Sequence, residues 1–419
     1  MLKIKYSKDI LDIQLSKNVE ELYNNSSLPT LSKDEIIDIL NINPIYSEGL
    51  DSVIAQAKRI LIILPDVTRK SGAEIFLDEI IKKIEENKKD FSIIFAIGTH
   101  RQLTEDEQKS ILTEELYNKY RHKILKHDCE DMELFEYYGK TKNNTPILIN
   151  RAYLEHDTII PIASVSYHYF AGFGGGRKMI VPGIAAKKTI MANHSLVLDP
   201  ANKTKHKYAI TGNLKQNPIH DDLVYCLMVA RRGKTFFLIN TILNEASEVV
   251  YVSGGDLFMS HITATEKLKE LTSIKISKKY DAAIISCGGF PKDINLVQAQ
   301  KSLDRGCKIV KDGGKIIFFA KCQDGYGNKY FEEFFDIKSS EEMFDILLRD
   351  YQINRQTAFN LKSILEKYEV YIYSDFSKDD LDRMGFKKLN APNEIDNILT
   401  DSNEIAFIPD AYNSYFDLS

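Results

Sequence analysis

The chain reads as an α/β protein of two domains, each built on a mostly parallel sheet flanked by helices. Three observations point there. Short, apolar, β-rich runs recur along the whole length. Charged stretches with helical spacing lie between several of them. The runs are apolar on both faces, as strands covered by helices on both sides require.

Taken in order, the runs span residues 60–64, 91–97, 158–163, 235–239 and 249–252, then 282–286, 315–319, 370–373 and 405–408. Residues 73–87 and 341–351 carry helical spacing. The polar segment 271–279 precedes a fresh strand and the turn Cys287-Gly288-Gly289. It places a boundary there, with an N-terminal domain over 1–273 and a smaller C-terminal one over 274–419. At 419 residues the chain exceeds one ordinary core, so two domains are expected.

Composition narrows the class. The chain is 43% hydrophobic and carries 55 basic against 60 acidic residues, a net charge of -5. That balance suits a soluble globular protein and argues against a dedicated nucleic-acid surface. The five cysteines are widely spaced with no CxxC pair, which argues against a disulfide framework or structural zinc. No run reaches the roughly 18 apolar residues of a membrane span, and no apolar leader follows Met1. A cytoplasmic location with no membrane partner is expected.

Polar clusters follow directly after four strands, where α/β proteins bind ligands. They are Asp66-Val67-Thr68-Arg69, Gly98-Thr99-His100-Arg101, the segment His168 to Lys178, and Gly288-Gly289-Phe290-Pro291-Lys292-Asp293. Together they suggest one shared cleft, and a cleft between the domains is the expected active site.

The segment His168-Tyr169-Phe170-Ala171-Gly172-Phe173-Gly174-Gly175-Gly176-Arg177-Lys178 holds four glycines within five residues. Such density suits close approach of backbone amides to an anion, often a phosphate. It is not a strict P-loop, because Arg177 replaces the glycine before Lys178 and Met179 cannot ligate magnesium. A GxGxxG reading from Gly172 fails at Arg177 as well. A flexible, ligand-free loop would not explain Arg177-Lys178 at its end.

Among the histidines, His122, His127, His156, His206 and His261 read as surface or packing residues. His100 and His168 each border a strand-end motif. A side-chain pKa of about 6.5 suits proton transfer near neutrality, so the two could act as base and acid. Either one alone is as readily a hydrogen-bonded structural histidine. His194 stands without HExxH or HxH spacing, so a metal there would need its other ligands from a cofactor. Arg69 can grip a carboxylate or phosphate bidentately. Gln298 and Lys301 share one helical face, which could orient a carboxylate and a hydroxyl but could equally be a solvated surface.

These motifs in this order resemble the nickel-pincer-nucleotide lactate racemase family over nearly the whole chain. The anchors are Asp66-Val67-Thr68-Arg69, Gly98-Thr99-His100, the glycine segment with Arg177-Lys178, Asn193-His194, and Gly289-Phe290-Pro291-Lys292-Asp293-Ile294-Asn295 through Gln298 and Lys301. The resemblance implies a 2-hydroxy-acid racemase or epimerase, an isomerase. Its implied cofactor is a Ni(II) pyridinium-3-thioamide-5-thiocarboxylic acid mononucleotide, tethered through Lys178, with His194 as the protein ligand to nickel. Asp66, Val67, Thr68, Arg69, Gly174, Gly175 and Gly176 would hold the nucleotide. His100 and His168 would be the acid/base pair, and Arg69, Gln298 and Lys301 would contact the substrate. A histidine would take the hydroxyl proton as hydride leaves C2, and the planar keto acid could be reduced on either face. Cofactor-making proteins are implied as loading partners.

Lactate racemases carry a tyrosine before the glutamine matching Gln298; here it is Val297. The substrate is therefore lactate or a related 2-hydroxy acid, including a sugar acid epimerised at C2. Two other readings remain from the residues alone. One is a nucleotide- or phosphate-binding transferase using the glycine segment. The other is a non-catalytic protein that closes on a carboxylate.

Overall fold

The computed structural model describes residues 1–24 and 28–418. The chain divides into two compact units. One comprises Met1–Ser26, Leu198–His206 and Leu271–Ser419; the other comprises Ser27–Val197 and Lys207–Glu270. The contiguous blocks 1–273 and 274–419 expected from sequence differ from this division at the N-terminus, at Leu198–His206 and by three residues at the boundary. Residues 1–24 and the short segment Leu198–His206 pack with the C-terminal unit. Among the described residues, no helix is long and apolar enough to cross a membrane.

The larger unit is built on a seven-stranded sheet. Its spatial order is Val249–Gly255, Leu238–Leu243, Thr158–Ser164, Arg59–Pro65, Asp90–Ala96 and Ile124–Leu125, with Thr235–Phe236 beside the start of Thr158–Ser164. All pairings are parallel except that of Leu238–Leu243 with Val249–Gly255. The central strand buries Ile60, Leu61, Ile62, Ile63 and Leu64 completely, as burial on both faces demands. Helix Leu77–Glu86 covers one face with Leu77, Ile80, Ile81 and Ile84, a helical spacing of apolar positions.

Chain order fixes where a ligand can sit. From Arg59–Pro65 the sheet grows one way through Asp90–Ala96 to Ile124–Leu125, then resumes on the other side at Thr158–Ser164. The order therefore reverses between Arg59–Pro65 and Thr158–Ser164. At such a switch point the loops leave in opposite directions and open a crevice at the carboxyl ends of the strands. Asp66 begins one of these loops and Val165 the other.

The smaller unit holds a six-stranded, all-parallel sheet in the order Lys387–Lys388, Glu369–Tyr373, Val310–Phe319, Tyr280–Ser286, Ile405–Ile408 and Glu20–Glu21. Its own switch point lies between Tyr280–Ser286 and Ile405–Ile408. The N-terminal residues join this unit for a physical reason. The hairpin Leu2–Tyr6 with Asp9–Ile13 contributes Ile4, Tyr6 and Ile13 to the core that contains Ala282, Ile284 and Phe407. Ser7 N donates to Asp293 Oδ2 at 2.7 Å, and Phe290 N donates to Ser7 O at 2.8 Å. Glu20–Glu21 then pairs along Ile405–Ile408.

A candidate active site at the carboxyl ends of the larger sheet

Asp66 is 3% exposed at the end of the central strand. Its Oδ1 accepts from Thr68 N at 2.7 Å and from the Thr68 hydroxyl, and Arg69 N closes the turn on Asp66 O at 3.0 Å. Its Oδ2 lies 2.7 Å from His100 Nδ1 on the loop after the neighbouring strand. Burial raises the Asp66 pKa, but hydrogen bonds from His100 and Thr68, with the charges of His100 and Arg69, outweigh it and leave the carboxyl below its ordinary value. An ionised carboxylate only accepts, so His100 carries a proton on Nδ1, and in the neutral ring the lone pair is on Nε2. Val67, partly buried, packs against the hydrophobic core.

The second loop folds back as a short hairpin, Tyr167–His168 with Gly172–Phe173. His168 Nδ1 accepts from Ala171 N at 3.2 Å and Phe170 N at 3.5 Å. Phe170 links two candidate residues: its ring lies 4.5 Å from the His168 ring and 5.0 Å from the His194 ring, edge-on in both cases.

The glycines are pressed against the protein itself. Gly175 has φ +71°, and a Cβ there would stand 2.6 Å from Ser164 O. Gly176 has φ +55°, and its Cβ would stand 2.3 Å from the His261 ring. Both positions exclude a side chain twice over, by backbone conformation and by space. Arg69 reaches the same loop, with Nη1 3.9 Å from where a Cβ on Gly174 would lie.

Behind the glycines sits a cluster that sequence reading missed. Arg177 is 1% exposed, donates to Ala171 O at 3.1 Å, and lies 3.5 Å from the His261 ring nitrogens. His261 Nε2 in turn is 3.0 Å from Gly174 O. Burial pushes the Arg177 guanidinium down to about 9, still charged near neutrality. Burial, and then the Arg177 charge, push His261 down to about 3. The same causes take His220 to about 2.

Lys178 lies near enough to His194 for its charge to act on the ring. Burial lowers the His194 pKa to about 3, with the charges of Lys178 and Arg69 adding to it. His194 lies on helix Lys187–Ser195 and its Nδ1 is 3.2 Å from Asn193 Oδ1. Asn193 donates to Asp222 Oδ2 at 3.0 Å and Ile219 O at 3.2 Å. The amide therefore presents its oxygen to His194, sets the proton on Nδ1 and leaves the lone pair of the neutral ring on Nε2. Asp222 is missing from the sequence reading, although an aspartate at a buried position of the apolar helix Pro218–Ala230 was a visible signal.

The larger unit thus brings together Asp66, Thr68, Arg69 and His100, joins Arg69 to the glycine loop, and gathers Arg69, Lys178 and His194 in one charged neighbourhood, with His168 reached through Phe170. Gln298 and Lys301 lie in the smaller unit, on the first turns of helix Leu296–Gly306, where Lys301 Nζ donates to Gln298 Oε1 at 2.7 Å. Of the histidines read as surface or packing residues, His127, His156 and His261 are buried. Among the described residues, no cluster of three or more His, Cys, Asp or Glu side chains is placed to hold a metal.

Comparison with known proteins agrees along the length of the chain. The model of the lactate racemase N-terminal domain matches residues 6–205, and that of the lactate racemase C-terminal domain matches 274–413. A lactate racemase of Thermoanaerobacterium thermosaccharolyticum is 32% identical over 319 residues, covering 76% of this chain and 72% of that protein. A lactate racemase of Lactiplantibacillus plantarum is 32% identical over 358 residues, covering 84% and 82%. The solved lactate racemase apoprotein from T. thermosaccharolyticum superimposes with a TM-score of 0.86 at 28% identity, covering 99% of both chains. The chain belongs to the lactate racemase family and is an isomerase.

Proposed function

We propose that this enzyme interconverts the C2 stereoisomers of lactate or a related 2-hydroxy acid, with His100 and His168 as its acid/base pair. The observation that carries this reading is the 2.7 Å contact between His100 Nδ1 and the buried Asp66 carboxylate. It leaves His100 Nε2 able to take a hydroxyl proton. His168 is held the other way: two backbone N–H groups point at its Nδ1, so neutral His168 carries its proton on Nε2 and can donate it. Gln298 and Lys301, on the smaller unit, would bind the substrate carboxylate. With Val297 ahead of them, the substituent on C2 is not restricted to the methyl of lactate.

The residues fit a tethered nickel-pincer nucleotide. His194 is buried, with its Nδ1 held by Asn193 and Nε2 left for a metal. Lys178 and Arg69 set positive charge beside it, suited to an anionic nucleotide. In this reading Lys178 is the tether, and Asp66, Thr68, Arg69, Gly174, Gly175 and Gly176 line the nucleotide. When bound, that group supplies reversible two-electron chemistry at C2. The chain's part is to orient the acid, exclude water and move the hydroxyl proton at the two imidazoles.

The test is a chirality-resolved assay of 2-hydroxy acids with protein co-expressed with the cofactor-making enzymes. Intact mass should show an adduct that disappears in Lys178→Ala. Racemisation of none of the acids, or full activity in Lys178→Ala, would reject the proposal.

A further inference from the structure

The smaller unit has a feature that the family motifs do not cover. Helix Leu296–Gly306 starts at Asn295, whose side chain accepts from Gln298 N at 3.0 Å. Lys301 and Arg305 are four residues apart and so lie on one face of it. The Tyr412 ring packs against both: Lys301 Nζ is 5.8 Å and Arg305 Cζ 5.3 Å from its centroid. Both distances are within the roughly 6 Å reach of a cation–π contact. Arg305 is buried at 5% exposure, whereas Lys301 is half-buried. The arginine therefore supports the ring from within, and the lysine meets it nearer the surface.

The turn that carries Tyr412 is itself fastened. Ala411 N donates to Ser286 O at 3.0 Å. Lys292 Nζ donates to Asp410 Oδ2 at 2.6 Å, and Asn413 contributes its N and Nδ2 to the same carboxylate at 3.3 and 3.0 Å. Gly288, at φ +88°, makes room, since a Cβ there would stand 2.6 Å from Asp410 Oδ1. These contacts join the ends of Tyr280–Ser286 and Ile405–Ile408. That is the switch point of the six-stranded sheet, the place where a parallel sheet of this order binds small ligands.

We infer that Tyr412 is a positioning residue for substrate binding: its ring holds the Lys301 ammonium beside the Gln298 amide. The inference rests on the carboxylate contact proposed for those two residues. A lysine has a long stem with four rotatable bonds, so an unsupported ammonium is spread over many positions. One bond to Gln298 and one aromatic face reduce these to a single arrangement before the acid arrives, which is preorganisation.

The experiment uses the cofactor-loaded enzyme for kinetics and the apo chain for lysine labelling. Tyr412→Leu should raise KM for lactate about tenfold while kcat changes much less. Tyr412→Phe, which keeps the ring, should recover most of the loss. Placed on Lys301→Met, Tyr412→Leu should add nothing, because the residue it supports is gone. In the apo chain, acetylation of Lys301 read by peptide mass should quicken several-fold in Tyr412→Leu but not in Tyr412→Phe, with exposed Lys3 unchanged as reference. If Tyr412→Leu does not fold, Tyr412→Met serves in its place. Unchanged KM and unchanged Lys301 labelling, or an equal rise in KM on the Lys301→Met background, overturns the inference. If instead Lys301→Met leaves KM untouched, the carboxylate contact is what fails, and the labelling still decides whether Tyr412 holds Lys301.

Discussion

Asp66 Oδ2 and His100 Nδ1 meet at 2.7 Å across the ends of two adjacent strands, the carboxylate buried and the imidazole about half exposed. A charged acceptor at that depth holds the ring in one orientation and one tautomer. Asp66→Asn keeps the shape but loses the charge, and its amide can present either N–H or C=O to the ring. We expect kcat to fall about 100-fold or more with KM changed much less, read from initial rates in both directions. A loss confined to KM would show that Asp66 serves binding and not the state of His100.

The buried histidines make stability depend on pH. His194, His261 and His220 have folded-state pKa values of about 3, about 3 and about 2, burial being the largest cause in each. In the unfolded chain each titrates near 6.5, so below that pH the unfolded state binds more protons. The stability they contribute is fully present above about pH 6.5 and is lost as pH falls toward 3, at roughly 1.4 kcal/mol per pH unit for each histidine. Asp66 adds a loss at lower pH, since its depressed pKa contributes stability above about 4 that disappears on protonation. Urea unfolding of the apo chain at pH 7, 6 and 5 should show a falling midpoint, and an unchanged one would contradict these burials.

Gly176 tests the packing of the loop. An alanine there needs φ +55° and puts its methyl 2.3 Å from His261. The two penalties together amount to about 2–4 kcal/mol. Gly176→Ala should lower the urea midpoint accordingly, and on a His261→Ala background its further effect should be smaller, since the ring overlap is gone while the Cβ of residue 261, 2.9 Å away, and the backbone strain remain. No further drop on that background would mean that conformation at 176 is not strained.

Much of this was legible from one chain because strands and strand-end loops are local signals. Runs such as 60–64 and 282–286 had no polar break, which marks strands buried on both faces, and the motifs sat directly after them. What remained hidden depends on long-range pairing. Nothing local in residues 1–26 announces that Ile4 and Tyr6 pack beside Ile284, because a short amphipathic hairpin can cover either unit. His261 looked like any isolated histidine; only the fold sets it under Gly176. Likewise the hydrogen bond from Asn193 to Asp222 crosses from one helix to another, a distance of 29 residues. The glycine density suggested a phosphate cradle, yet Gly175 and Gly176 are already required by contacts with Ser164 and His261.

If His194 holds nickel as proposed, Asn193 should govern metal retention. Its Oδ1 faces His194 Nδ1 while its Nδ2 is held by Asp222 and Ile219 O. Removing such a partner of a ligating histidine weakens metal binding by about 10–100-fold. Asn193→Leu should lower the nickel content of purified holoprotein, measured by elemental analysis after dialysis against a chelator. Equal nickel in wild type and Asn193→Leu would remove Asn193 from this role.

The two histidines are not equivalent, and that difference should appear in the kinetics. His100 donates from Nδ1 to Asp66 and offers a lone pair at Nε2. His168 accepts at Nδ1 from Ala171 N and Phe170 N, and so offers a proton at Nε2. If the two are the proposed acid/base pair, the resting arrangement is ready for the enantiomer whose hydroxyl meets His100. For the other enantiomer, His168 must first give up its Nε2 proton, or move it to Nδ1 against two backbone N–H groups. Enantiomers have equal free energy, so kcat/KM must be the same in both directions. The asymmetry can then emerge only as kcat and KM shifting together by a common factor. We expect kcat for the two lactate enantiomers to differ several-fold, with KM differing in proportion. Product-resolved initial rates from each pure enantiomer measure this directly. Equal kcat values would show that His168 changes tautomer without penalty and that the backbone contacts do not constrain it.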